Sequence, residues 1–117
     1  MATMSKKLLS GSVQGKAVLV AATATTGTTI HTAIAGTSDI DEIWIYAVNT
    51  SASAVKLTLE WGTTTAADGN LEQTIPAESG LSLVAPGLLL QNGLLVTAFA
   101  GTTNVILLHG YANRITA

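Results

Sequence analysis

The chain contains no cysteine, which excludes a disulfide framework, a thiolate zinc site and a cysteine nucleophile, and leaves stability to packing and hydrogen bonds. Charge is also scarce. Five Lys plus Arg and seven Asp plus Glu give a net charge of −2 over 117 residues, and the charged fraction of 10% is well under the roughly 25% of ordinary soluble domains. The four lysines and one arginine are scattered and aromatics are few, so no basic stacking surface for nucleic acid is expected. No apolar run approaches the roughly 18 residues of a membrane helix, so a membrane is not an expected partner. Lys6 and Lys7 precede only Leu8 and Leu9, too short a stretch for a secretory signal, and no export signal is read here.

What remains is apolar and finely punctuated. Hydrophobic residues make up 48% and mean hydropathy is +0.48, too apolar for disorder. The length suits one domain. Thr, Ala and Gly cluster at 21–29, 36–39, 49–53, 62–70 and 101–104, and between them lie short runs rich in β-branched residues and Leu: 17–22, 29–34, 42–48, 55–61, 71–75, 81–84, 88–90, 94–99 and 105–111. Turn-bounded runs of this length predict an all-β protein, an antiparallel β-sandwich of eight or so strands. Residues 1–15 read as a flexible N-terminal arm and residues 16–117 as the sandwich domain.

Alternation sharpens two of the strands. In 55–61 the odd positions Val55, Leu57, Leu59 and Trp61 are apolar, so Lys56, Thr58 and Glu60 are expected to face water. Residues 43–48 are apolar on both faces, so one face meets the core while the other needs a cover, either the arm or a neighbouring subunit. Asn92-Gly93 between two Leu-rich runs predicts a hairpin. Pro76 and Pro86 are placed at strand ends, where a missing N–H costs no ladder bond.

The inventory of reactive groups predicts no enzyme and no cofactor. His31 and His109 lack metal-ligand spacing and read as strand histidines at a core edge or interface. Asp39, Asp41 and Glu42 read as a solvated acidic loop guarding an apolar strand rather than as a calcium loop. Glu60 and Glu72 are not expected to form a glycosidase pair, because Glu60 alternates outward and nothing sets Glu72 opposite it. Neither a nucleophile elbow nor a phosphate-binding glycine loop occurs. Asn49-Thr50-Ser51 fits the glycosylation pattern but reads as a tight turn. Trp44, Tyr46 and Trp61 read as core or subunit-contact rings, with sugar stacking as the alternative.

A mass of 11.9 kDa predicts roughly 5,900 Å² of monomer surface, or about one charge per 500 Å², so part of the surface is expected to be covered by a partner. Trp44, Tyr46, Val48, His109 and Tyr111 are the candidate oligomer or partner interface. Lys6, Lys7, Leu8 and Leu9 are the candidate strap within the arm.

From Thr29 to Tyr111 the order of features resembles a group of small virion proteins of tailed bacteriophages. The resemblance runs through Thr29-Ile30-His31-Thr32-Ala33-Ile34 and the strand ending in Val48-Asn49-Thr50-Ser51. It continues in the corner Ile75-Pro76-Ala77-Glu78-Ser79-Gly80 and in the pair Leu88-Leu89-Leu90 and Leu94-Leu95-Val96-Thr97-Ala98 around Asn92-Gly93. It implies a jelly-roll-like sandwich, commonly a homotrimer, acting as a capsid cement or decoration protein on the virion surface after synthesis in the host cytoplasm. The implied partners are further copies of itself and the major capsid protein or other virion proteins. Other roles implied are a tail or head-fibre accessory or a carbohydrate- or host-receptor-binding module. The resemblance supplies no catalytic residue.

Overall fold

A computed structural model describes residues 2–117. The described residues form nine strands, all but the first built on the apolar runs: β1 Thr3–Leu8, β2 Val18–Leu19, β3 Thr28–Thr32, β4 Ile40–Asn49, β5 Val55–Trp61, β6 Asn70–Ile75, β7 Ser82–Leu90, β8 Leu95–Ala100 and β9 Ile106–Thr116. One sheet runs β1-β9-β4-β7, with β2 also on β9, and the other runs β3-β8-β5-β6; every pairing is antiparallel. Among these strands only β5 and β6 are chain neighbours that pair with each other. The other connections from β2 onward cross between sheets, which makes β2 to β9 a jelly-roll sandwich.

The core lies between the sheets. Ile43, Ile45 and Ala47 of β4 face Leu57 and Leu59 of β5 and Val96, Ala98 and Ala100 of β8 as one buried cluster, which Leu108 and Ala112 of β9 join. Close approach of β4 and β9 depends on Gly110, where a Cβ would clash with the Trp44 carbonyl oxygen. The folded chain exposes 5915 Å², the ordinary value for its mass.

Several expectations are met differently. The segment 1–15, read as an arm, begins at Met1, outside the described residues; its Thr3–Leu8 stretch lies on β9 as an edge strand, in register from Thr3↔Thr116 to Leu8↔Tyr111. β2 continues along the same edge of β9, so the two are one edge interrupted by residues 9–17. Leu9 turns into the core and is 1% exposed. All six side chains of β1 are exposed, so it is held by its backbone ladder, which hydropathy does not register.

Asn92 and Gly93 do make the left-handed turn, with φ of 64° and 66°, but β7 pairs with β4 while β8 pairs with β3 and β5. The turn is therefore an arch between sheets, pinned by its N–H groups donating to the Gly36 and Ile34 carbonyls. Turn geometry is local, whereas strand partners follow from packing. Pro86 lies within β7 rather than at its end; β7 is an edge strand, so the absent N–H leaves no ladder bond broken.

Candidate functional site

Strand β4 alternates strictly between buried and half-buried positions, and its register with β9 pairs Glu42 with Asn113, Trp44 with Tyr111, Tyr46 with His109 and Val48 with Leu107. The five proposed interface residues thus share the outer face of the five-stranded sheet. Trp44 and Tyr111 stack with centroids 6.4 Å apart and planes 17° from parallel. The indole lies against β7 because Gly87 has no side chain: a Cβ there would meet Trp44 Cζ2 at 2.9 Å. Trp44 Nε1 donates to Glu42 Oε1 at 2.8 Å, and Asn113 Nδ2 donates to the same oxygen at 3.0 Å. Those two donors hold the Glu42 carboxyl below its ordinary value.

The apolar character extends to both edges of this face. In the register of β1 and β2 on β9, Met4, Leu8 and Leu19 fall on it, as do Leu83 and Leu89 of β7, and all five are exposed. Lys6 is also on it and places Nζ 4.6 Å from the centre of the Tyr111 ring, a cation–π contact. Of the proposed strap, Lys6 and Leu8 therefore join the face. Lys7 faces the other side in the register opposite Ala112, and Leu9 is core. Of the two expected covers for Trp44, Tyr46 and Val48, the N-terminal segment is not one, since it extends the sheet instead of crossing it.

Two acidic groups expected in water are buried. Asp41 is 0% exposed: Arg114 Nε donates to Oδ1 at 2.8 Å and Nη2 to Oδ2 at 3.0 Å, while His31 Nε2 lies 2.9 Å from Oδ2. Burial pushes the Asp41 carboxyl up, and the hydrogen bonds from Arg114 and His31 together with the Arg114 charge outweigh it, so the group is held below its ordinary value; Asp41 in turn raises Arg114. His31 Nδ1 accepts from the Ser10 backbone N–H at 2.9 Å, so the proton is on Nε2 and points at Asp41.

Ser10, His31 and Asp41 have the residue types of an acyl-transfer triad without its geometry. Ser10 Oγ accepts from the Thr32 N–H at 2.6 Å instead of donating to the ring, and the imidazole is 1% exposed. The cluster ties the segment after β1 to β3, β4 and β9.

Glu60 also departs from expectation. It does alternate to the outer face of its sheet, but residues 21–27 fold over it and leave it 1% exposed. Oε1 accepts from Gly27 N–H at 2.8 Å and Thr97 Oγ1 at 2.7 Å, and Oε2 accepts from Thr25 Oγ1. Burial pushes its carboxyl up, yet these donors prevail and hold it below its ordinary value. Thr58 is buried on the same face, and only Lys56 of the three is in water, 3.2 Å from Glu72.

Trp44 and Trp61 are divided between the sheets, Trp61 Nε1 donating to the Leu89 carbonyl at 3.2 Å. Asn49 is buried, with Nδ2 donating to the Ser53 and Ile75 carbonyls and Oδ1 accepting from the Ser51 N–H, the tight turn read from the sequence. Among the described residues no group of three His, Cys, Asp or Glu is placed to hold a metal ion. No protein family, no curated protein and no solved structure matches the chain.

Proposed function

We propose that this chain is a non-enzymatic structural protein that self-associates through the outer face of its five-stranded sheet, and that the oligomer binds the outside of a tailed-phage capsid as a cement protein. The observation that carries the reading is the uncovered apolar face in which half-buried Trp44, Tyr46 and Tyr111 are flanked by exposed Met4, Leu8, Leu19, Leu83 and Leu89. Four strand positions, one shared by β1 and β2, spaced about 4.8 Å apart and up to about 30 Å long give a face of about 500–600 Å², at the lower end of the roughly 600–1,000 Å² per partner of specific interfaces. A further copy of the chain is the occupant that fits, because the face is apolar at its centre and carries one cation, Lys6, and one anion, Glu42, for ion pairs between copies. The trimer and the capsid come from the resemblance of residues 29–111.

A cement function needs no chemistry. A rigid oligomer touching several capsid subunits makes contacts that must break together, and each attachment after the first is intramolecular. Sedimentation at micromolar concentration is expected to show an oligomer, and co-sedimentation with purified capsids of the encoding phage is expected to show saturable binding and a higher temperature of DNA release. An 11.9 kDa species that stays free of capsids at every concentration overturns the proposal.

A further inference from the structure

Among the described residues the two sheets end in four strand edges, β1 with β2, β7, β3 and β6, and three of them are guarded against a further strand. β1 carries Lys6 and Lys7 and is broken from β2 by residues 9–17. β7 contains Pro86 and two register shifts, and its Leu89 carbonyl accepts from Trp61 Nε1. β3 is covered by the chain itself: Gly11 N–H donates to the Ile30 carbonyl and Thr32 N–H donates to Ser10 Oγ. Lysine, proline, bulges and a covering segment are the devices that keep an edge from pairing. β6 has none of them. Asn70–Ile75 contains no proline, lysine or arginine and holds one register with β5 from end to end.

The backbone of β6 is open as well. Trp61 N–H donates to the Gly69 carbonyl and Gly101 N–H donates to the Lys56 carbonyl, so odd-numbered residues of β5 bond β6 and even-numbered ones bond β8. In that register Leu71, Gln73 and Ile75 bond β5, while Glu72 and Thr74 turn N–H and carbonyl to the free edge. The seam between β6 and β7 is also open. Leu71 and Gln73 fall on the inner face beside Leu59 and Leu57, yet both are exposed. Next to them a cavity of about 210 Å³ is lined by Leu57, Leu59, Leu71, Glu72, Gln73 and Val84. At the other seam, between β9 and β3, Leu9 is buried in the core and residues 10–11 bridge to β3.

We propose that the β6 edge takes an extended strand from another protein by β-augmentation, with aliphatic side chains directed into the seam and lysine or arginine on the outer face. The cavity is smaller than the roughly 300–1,000 Å³ of small-molecule sites, which suits single side chains of such a strand. Charge sets the other face. Glu72 on β6, Asp68 just before it and Glu78 just after it are all exposed, against one cation, Lys56, whose Nζ holds Glu72 Oε2 at 3.2 Å. A second β6 is disfavoured as the occupant, because pairing the edge with itself brings two sets of acids together. This edge belongs to the sheet opposite the assembly face, so either proposal can fail without the other.

The test is titration of the full chain with a blocked Lys-Val-Lys-Val-Lys-Val peptide, as long as β6, followed by amide shift mapping and amide exchange. Shifts are expected to centre on residues 70–75. At saturation the Glu72 and Thr74 amides should exchange about ten-fold more slowly, while Leu71 and Gln73, already bonded to β5, keep their rates. Glu72→Lys is expected to weaken binding about five-fold, and Thr74→Pro, which removes an N–H that β5 does not use, to abolish it. Shifts and exchange are read on the unsubstituted chain and Glu72 is exposed, so the result does not depend on the proline variant folding. A Glu-Val-Glu-Val-Glu-Val peptide is expected to leave the spectrum unchanged. Absence of shifts at millimolar lysine peptide overturns the proposal, as do equal binding of the glutamate peptide and shifts centred on β1 or β7.

Discussion

The outer faces of the two sheets are built by the same two-residue alternation and end with opposite chemistry. On the five-stranded sheet, outward positions carry Trp44, Tyr46, Val48 and Tyr111 with exposed Met4, Leu8 and Leu89 around them. On the four-stranded sheet they carry Thr58, Glu60, Thr97 and Glu72, and a loop from before β3 closes over the centre. The apolar face is open and the polar face is partly covered, the reverse of what burial of apolar surface alone would produce. A monomer with this arrangement leaves its most favourable burial unmade, and that is the argument for a second copy.

The largest expected effect comes from charging the open face. Tyr46→Asp should convert the proposed oligomer to an 11.9 kDa species in sedimentation at micromolar concentration, because a carboxylate at the centre of an apolar interface is desolvated without a partner. Thr74→Asp, outward on the other sheet opposite Lys56, should leave the mass unchanged. If both variants keep the parent mass, the contrast between the faces has no bearing on assembly.

Next in size are the buried acids, which test whether the polar face is closed by Glu60. Asp41→Ala leaves Arg114 and His31 without their common partner and should cost about 3–5 kcal/mol. Glu60→Ala strands three donors and should cost about 1.5–3 kcal/mol, with faster amide exchange at Gly27. Urea unfolding followed by tryptophan fluorescence measures both. A change under about 0.5 kcal/mol for Glu60→Ala would mean the loop is held by something else.

Acid should reveal the same two groups together. Both carboxyls are held below their ordinary values in the folded chain, so their contribution is complete above the unfolded-state value, about 4, and is lost as pH falls through the lower folded-state values. Unfolding free energy should stay level from pH 7 to about 5 and fall below about pH 4. A decline already complete by pH 5 would contradict the assignment. The smallest effect belongs to the exposed pair of Lys56 and Glu72: Lys56→Ala should change stability by under about 0.5 kcal/mol.

The inward stripe of β5 at Val55, Leu57 and Leu59 and the two-faced character of β4 are readable in the residues, because a two-residue period is a property of one strand alone. The turn at Asn92-Gly93 is readable for the same reason, since its positive φ angles are local. β1 was not, because its side chains bury nothing and its ladder partner begins more than 100 residues away, at Tyr111. The burial of Glu60 left one trace in the sequence, a carboxylate in an otherwise buried stretch of strand, visible only once its cover is known.

The sequence by itself determined an all-β chain without cysteine, the strands from β2 onward in outline, and which residues of β4 and β5 face the same way. Tertiary structure alone decided what lies over each face. Arg114 reaches Asp41 across 73 positions and Thr25 reaches Glu60 across 35. Alternation sorts side chains into two sets, but water or protein on the outer side is settled by segments far along the chain, and burial of a charge follows from those segments rather than from its own neighbours.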